Sequence, residues 1–415
     1  MTMNEPNFAA FINSLYSSPQ EFLNANATAN YIITPKSLVK DNFINTVQNT
    51  LAAFSRPIGD TMELMERDLL GYYTSERKKS YEPEFPYILD GKLHFRSKQY
   101  DKMLMIPLVM DFSQDPEKRD QIYYSLPAED KLTAYLEATV EGMRHYYKNC
   151  PDGLFEFYPF AGINPKVHSL KFLDDFLTRY INTSHKMHKE HTLPAKPFYG
   201  IKIYPPLDFN PWPEDGETLE KHRILYSFCQ ENRIPIITHC DDQGFRGIAA
   251  SLAWRYTDPA SWRTVLENYP DLVIDFAHFG KQYAYASNRD VRSLQAKAKG
   301  YPYSPWFRSI ISLMDEFDNV YADLSFTGTM PDFYTRLHSY LLSLDSNKRE
   351  RIKRHILFGS DFSVNLLKVE SYTEYYSIFE KSQFDDDEID LFASTNPFSF
   401  LFDEKQVAIT LNQRL

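Results

Sequence analysis

Seven short apolar runs, at residues 103–110, 154–160, 200–204, 234–238, 272–277, 320–324 and 356–358, punctuate a chain of 415 residues. Stretches with helical character separate them, and no other feature constrains the fold so strongly. The runs are near-continuous rather than alternating, as in parallel strands buried on both faces. Parallel neighbours need a crossover rather than a tight turn, and 131–147, 218–231 and 261–269 read as helices of that kind. The pattern predicts an α/β protein with a parallel sheet, either open and doubly wound or closed into a barrel. Closure with eight strands needs one more, for which 31–34 is the candidate.

The first hundred residues have a different texture. Val39, Phe43, Val47 and Leu51 recur every fourth position between Pro35 and Pro57, and 60–70 continues in a helical register. In Tyr87-Ile-Leu-Asp-Gly-Lys-Leu-His-Phe95, Asp90-Gly91 separates two β-prone runs, and Asp-Gly suits a type I′ turn because both central residues need positive φ. The expected organisation is therefore a helical and hairpin extension over 1–100, packed on an α/β unit over 101–415. The acidic run at 385–388 reads as a helix start, where acids oppose the dipole favourably.

Composition narrows the classes. The formal charge of −11 argues against a nucleic-acid footprint or a polybasic membrane surface. No apolar run approaches the roughly 18–20 residues that span a bilayer. The start carries no basic and apolar signal pattern, and three cysteines without metal-clip spacing fit a reducing compartment, so the expectation is cytoplasmic.

Chemistry-capable residues stand where the strands stop. Ile234-Pro-Ile-Ile-Thr-His239 and Leu272-Val-Ile-Asp-Phe-Ala-His278 each end in a histidine, and Ile356-Leu-Phe-Gly-Ser-Asp361 ends in an aspartate. Gly200-Ile-Lys202-Ile-Tyr204 places a lysine inside a strand. C-terminal strand ends converge in parallel α/β folds, so two imidazoles and a carboxylate there could ligate a divalent metal such as zinc, iron or manganese. Arg246, seven residues past His239, is either an anchor for a substrate carboxylate or a surface arginine. Asp323 either orients a pocket group or caps the next loop. Cys240 reads as a buried filler, and His185, His188 and His191 read as a solvated helix end.

The runs Gly200-Ile-Lys-Ile-Tyr-Pro-Pro206, Ile234-Pro-Ile-Ile-Thr-His-Cys240, Ala277-His-Phe-Gly280, Asn319-Val-Tyr-Ala-Asp-Leu-Ser325 and Phe358-Gly-Ser-Asp361 occur in this order over 102–400. Together they resemble the metal-dependent amidohydrolase superfamily, and within it the amidohydrolase-related branch that also holds decarboxylases. The resemblance implies a distorted TIM (β/α)8 barrel with a mono- or binuclear centre at its C-terminal mouth. His239 and His278 would be metal ligands after strands five and six. Asp361 would be the strand-eight aspartate that binds metal and handles protons. Lys202 would take the strand-four position, where some members carry a carboxylated, bridging lysine. Members normally supply two further ligands from a His-x-His pair after strand one. None of the eleven histidines here lies two residues from another. Either the chain as given begins downstream of that pair, or the ligand set is depleted.

The function expected from this resemblance is a metal-dependent hydrolase of a small-molecule C–N or C–O bond, using zinc first and manganese or iron as alternatives. Asp361 would act as general acid and base with His278 beside it, and Tyr204 and Arg246 would contact substrate. A decarboxylase on the same barrel, or a barrel that has lost catalysis, are the competing readings. The N-terminal extension is expected to cover the mouth or the first strand position, shaping the pocket or a homo-oligomer contact.

Overall fold

The computed structural model describes residues 56–71, 86–113, 128–242, 244, 246–282 and 304–402. The expected helix at 39–51 and the eighth-strand candidate at 31–34 lie outside these residues. Eleven strands are described: β1 Ile88–Leu89, β2 Lys92–Phe95, β3 Lys98–Tyr100, β4 Met103–Met105, β5 Phe155–Phe157, β6 Phe160–Gly162, β7 Gly200–Ile203, β8 Ile236–Thr238, β9 Ile274–Phe276, β10 Val320–Asp323 and β11 Ile356–Leu357. The longer helices are α1 Ile58–Leu69, α2 Ala128–Asn149, α3 Leu170–Tyr180, α4 Gly216–Glu231, α5 Ala250–Thr257, α6 Arg263–Asn268, α7 Pro305–Glu316, α8 Pro331–Ser343, α9 Ser346–Lys353 and α10 Tyr372–Glu380. Two short ones, α11 Asp386–Asp390 and α12 Asn396–Leu401, follow.

Side-chain caps fix where the crossover helices begin. Ser169, Asp215, Ser304, Asp345 and Ser371 each accept a hydrogen bond from the backbone N–H three residues on. These bonds satisfy donors that the first turn leaves open. Asp385 and Glu388 form a reciprocal capping box at the start of α11, where the acidic run predicts a helix start.

All seven sequence-predicted strands are present, parallel and in chain order. Strands β6 to β11 form one six-stranded ladder. β4 pairs with β5, and a parallel bridge from Leu108 to Phe160 joins this pair to the ladder. Alternate residues divide the sheet into two faces. Phe155, Phe157, Ile201, Ile203, Ile236, Ile274, Phe276, Val320 and Ile356 pack outward in the main core with the helices. Tyr158, Phe160, Ile237, Val273, Tyr321 and Leu357 point to the other side and cluster with Phe400, Leu401 and Phe402, against which Leu104 and Ile106 also pack. Side chains from the first and the last strand thus share one inner cluster, as the wall of a barrel requires.

The barrel is distorted. Among the described residues no ladder joins β11 to β4, so the described wall, with β5 and β6 as two pieces of one interrupted strand, has seven strands where eight were expected. Tyr376 of α10 fills the seam: its hydroxyl lies 3.5 Å from the Met103 sulfur and its ring 5.4 Å from Phe358.

Ahead of the barrel, β1 to β3 form an antiparallel sheet. The β1–β2 turn is the predicted Asp90-Gly91, both with positive φ, and β3 is a further strand that the sequence did not announce. Arg96, in the β2–β3 turn, donates to the carbonyls of Glu380, Ser382 and Phe384.

One expectation is overturned. His185, His188 and His191 lie in an irregular segment and not in a helix. His188 Nε2 is 3.0 Å from the Phe157 carbonyl and His191 Nε2 is 2.9 Å from that of Gly153. Their rings stack on Tyr158 and Tyr147. Bonding to backbone carbonyls in and just before β5 and stacking on buried rings outweighed a solvated helix end.

Candidate active site

The inner face changes character towards the C-terminal ends of the strands. Two residues past Val273 stands Asp275, two past Tyr321 stands Asp323, and two past Ile237 stands His239. All three are buried on the barrel side of strands whose flanking residues point outward. Lys202 occupies the corresponding inward position of β7, between the outward Ile201 and Ile203. Register pairs run Lys202 to Ile237, Ile237 to Asp275 and Asp275 to Tyr321, so lysine and aspartate share one row across the sheet.

His239 and His278 meet edge to face, with ring centroids 5.1 Å apart. Tyr204 stacks on the other side of His239 at 4.3 Å. His278 follows β9 in a left-handed turn, with φ of 63° there, 53° at Phe279 and 64° at Gly280. Its backbone N–H donates to Asp323 Oδ1 at 2.9 Å, and its Nδ1 lies 2.9 Å from Ser325 Oγ and 3.2 Å from the Ser325 carbonyl. Asp361 and Phe326 also have positive φ, so four non-glycine residues hold left-handed backbone at this mouth. Such conformations cost about 1–3 kcal/mol each and persist where surrounding structure enforces them, often at functional sites.

Electrostatics bind these groups together. Burial pushes the Lys202 ammonium down, while Asp323, Asp361 and Asp275 work to keep it charged. Burial raises Asp361 to about 7, with Asp323 adding to the rise and Lys202 and Lys281 opposing it. Burial first, and then Lys202 and Lys281, push His278 down to about 3, so its imidazole is neutral at pH 7. Asp275 is pushed well above the carboxylate range by burial and by Asp323, and among the described residues neither of its oxygens has a well-formed hydrogen bond. The buried Lys281 lies against the Phe326 ring, 4.3 Å from its centroid. Its backbone is zipped to the loop after β8, through Lys281 N–H to Cys240 O and Asp242 N–H to Lys281 O.

The sequence-predicted residues fall as follows. His239, His278, Lys202 and Asp361 gather at one end of the barrel, linked by ring contacts or charge. Tyr204 joins them through its stack. Arg246 stands half-buried on the loop after β8, two residues past Gly244. Asp323 does both things expected of it, anchoring His278 and capping its own loop through Ser325 N–H at 2.9 Å. Cys240 is buried, with its thiol pushed well up. Asp275, Ser325 and Lys281 were missed. A charge inside the apolar run Val273-Ile-Asp-Phe was the signal for the first, but only the turn at His278 brings in Ser325.

The donor chemistry suits a divalent cation. It offers two imidazoles, one of them neutral with Nδ1 occupied and Nε2 unengaged among the described residues, and a carboxylate at the same rim. Three protein donors with remaining open positions is the usual composition of a catalytic metal site. Among the described residues, only Asp60, Glu63 and His145, on α1 and α2, bring three donor atoms within 4.8 Å of one another. The His239, His278 and Asp361 set is therefore more widely spread.

Comparisons with known proteins agree with this part of the chain. A family model described as amidohydrolase matches residues 190–402, just over half the length, and the matched segment includes His239, His278 and Asp361. No curated protein shows significant sequence similarity. Among solved structures, a zinc-bound amidohydrolase from Burkholderia multivorans is 11% identical, over 72% of this chain and 99% of its own, with a TM-score of 0.41. Dihydroorotase from Campylobacter jejuni is 13% identical over 71% and 74%, with a TM-score of 0.35. The 4-oxalomesaconate hydratase of Rhodopseudomonas palustris is 13% identical over 69% and 76%, with a TM-score of 0.40. With its matched segment spanning β7 to α12 and every strand-end residue of the candidate site from His239 onward, the chain belongs to the amidohydrolase family.

Proposed function

We propose that the protein is a metal-dependent hydrolase that cleaves a C–N or C–O bond of a small molecule. The observation that carries this reading is the gathering of His239, His278, Lys202 and Asp361 at the C-terminal mouth, inside the family-matched segment. His239, His278 and Asp361 would hold a divalent ion, with zinc the first choice for nitrogen and oxygen donors and manganese or iron also suited. When bound, such an ion supplies Lewis acidity, activating water near neutral pH and polarising the scissile carbonyl.

The chain's own residues do the rest. Asp361, raised to about 7, is poised to take a proton from the attacking water and return it to the leaving group. Lys202, whose ammonium burial disfavours and Asp323, Asp361 and Asp275 favour, works to lower Asp361 against the rise that burial imposes. Tyr204 holds the face of His239, and Arg246 would meet a substrate carboxylate on the loop above. The reading takes a small molecule as partner, without nucleic acid or membrane, and places the protein in the cytoplasm. Among the described residues no helix is long and apolar enough to cross a membrane.

The test uses the purified chain, stripped with chelator, reloaded with zinc, manganese or iron, and offered a panel of lactones, amides and carboxylated analogues. Asp361→Asn is expected to lower kcat about 10²–10⁴-fold, the range for a lost general acid or base. Equal turnover by the two proteins would remove the assigned role. Carbon dioxide release without hydrolysis would move the reaction to decarboxylation on the same barrel.

A further inference from the structure

Three groups behind the candidate metal site fix the state of His278. Asp323 Oδ1 accepts two backbone N–H groups, those of His278 and Ser325, each at 2.9 Å. It is therefore an acceptor, and it also receives the Ser325 hydroxyl. A serine hydroxyl has one hydrogen, and here that hydrogen points to Asp323. What Ser325 turns toward His278 Nδ1 is then an oxygen lone pair at 2.9 Å, and beside it the Ser325 carbonyl at 3.2 Å offers another. Two acceptors facing one ring nitrogen require that nitrogen to carry the proton.

We infer that Ser325, anchored by Asp323, is a positioning residue that holds His278 in its Nδ1–H form and so presents the Nε2 lone pair to the cation of the proposed hydrolase. For the cation this rests on the reading above; for the tautomer it does not. The left-handed turn at His278 makes the arrangement local to this loop: the backbone N–H and the imidazole of one residue are gripped by two residues spaced two apart on the neighbouring strand end. A hydrogen-bond partner on the second ring nitrogen of a metal-ligating histidine fixes its tautomer and orientation, and its loss costs about 10–100-fold in metal affinity.

The experiment has an arm that needs no metal. In metal-free wild-type protein labelled with ¹⁵N-histidine, long-range ¹H–¹⁵N spectra should show His278 protonated at Nδ1, assigned by comparison with His278→Gln. A proton on Nε2 would overturn the inference. In the second arm, the Zn²⁺ dissociation constant is measured by competition with a chromophoric chelator. Ser325→Ala is expected to weaken binding about 10–100-fold and to mix the tautomers. Ser325→Thr, which keeps the hydroxyl beside Gly359, should restore both. An alanine variant with unchanged tautomer and unchanged Zn²⁺ affinity would also overturn the inference. Failure of the wild type to bind Zn²⁺ would instead count against the hydrolase reading and leave the tautomer result to decide this one.

Discussion

A histidine enclosed with one nitrogen bonded and the other bare works against the fold as soon as protons become abundant. His222 of α4 is such a residue. Its Nδ1 lies 2.7 Å from the Thr218 carbonyl, and its fully enclosed Nε2 has no hydrogen-bond partner among the described residues. Burial pushes the imidazole down to about 4, with Lys166 and Lys221 adding to the effect and Thr218 opposing it. Because the folded value lies below the ordinary 6.5, the unfolded chain takes up the proton first as pH falls. Stability is therefore intact above about 6.5 and is lost progressively down to about 4, by roughly 3 kcal/mol. His222→Phe, packing on Phe209 and Tyr226, should flatten the fall in thermal midpoint between pH 7 and 4.5; an undiminished slope would place the acid sensitivity elsewhere. At this same scale, His239, His278 and Asp361 were legible because an apolar run that ends in a ligand-type residue advertises a strand end. Ser325 was not, since its partnership with a histidine 47 positions away depends on a backbone turn that no spacing displays.

Elements were legible where one local rule decides them. Asp90-Gly91 dictated a hairpin, and the run of acids at 385–388 marked a helix start. The helix end expected at His185, His188 and His191 failed because tertiary contacts overrode spacing: His188 and His191 reach carbonyls at residues 157 and 153. β3 failed because Lys98-Gln-Tyr is short and polar, and its place is set by what lies beyond it. Lys98 and Tyr100 reach Asp390, and Arg96 closes on carbonyls left open at the end of α10. A guanidinium bonded to several carbonyls is hard to replace, since each would lose a charged donor. Arg96→Ala should cost about 2–4 kcal/mol in urea unfolding. Hydrogen exchange should rise at 88–100 and 380–386 more than in the barrel ladder. Uniform exchange changes would mean that the hairpin is not separately held.

For the molecule as a whole, the question is what offsets a mouth built from strained turns and buried charge. Left-handed backbone at His278, Phe279, Phe326 and Asp361 and a lysine among three aspartates are all unfavourable in isolation. The barrel supplies the compensation through its two cores, and the ladder from β6 to β11 holds the loops where they are. A cation bound between His239, His278 and Asp361 would add to this, because it would link the loops after β8, β9 and β11 in the folded state alone. At a hundredfold excess over its dissociation constant, such an ion should add about 2.7 kcal/mol and raise the thermal midpoint by about 2–5 °C. His239→Ala should remove most of that gain, because it deletes a donor at the rim and leaves the outer core untouched. Arg96→Ala should lower the midpoint yet keep the gain in full, because the hydrogen bonds of Arg96 go to residues 380–386 and not to His239, His278 or Asp361. If zinc, manganese and iron all leave the wild-type midpoint unmoved, or raise that of His239→Ala equally, the ion is not held between these strands.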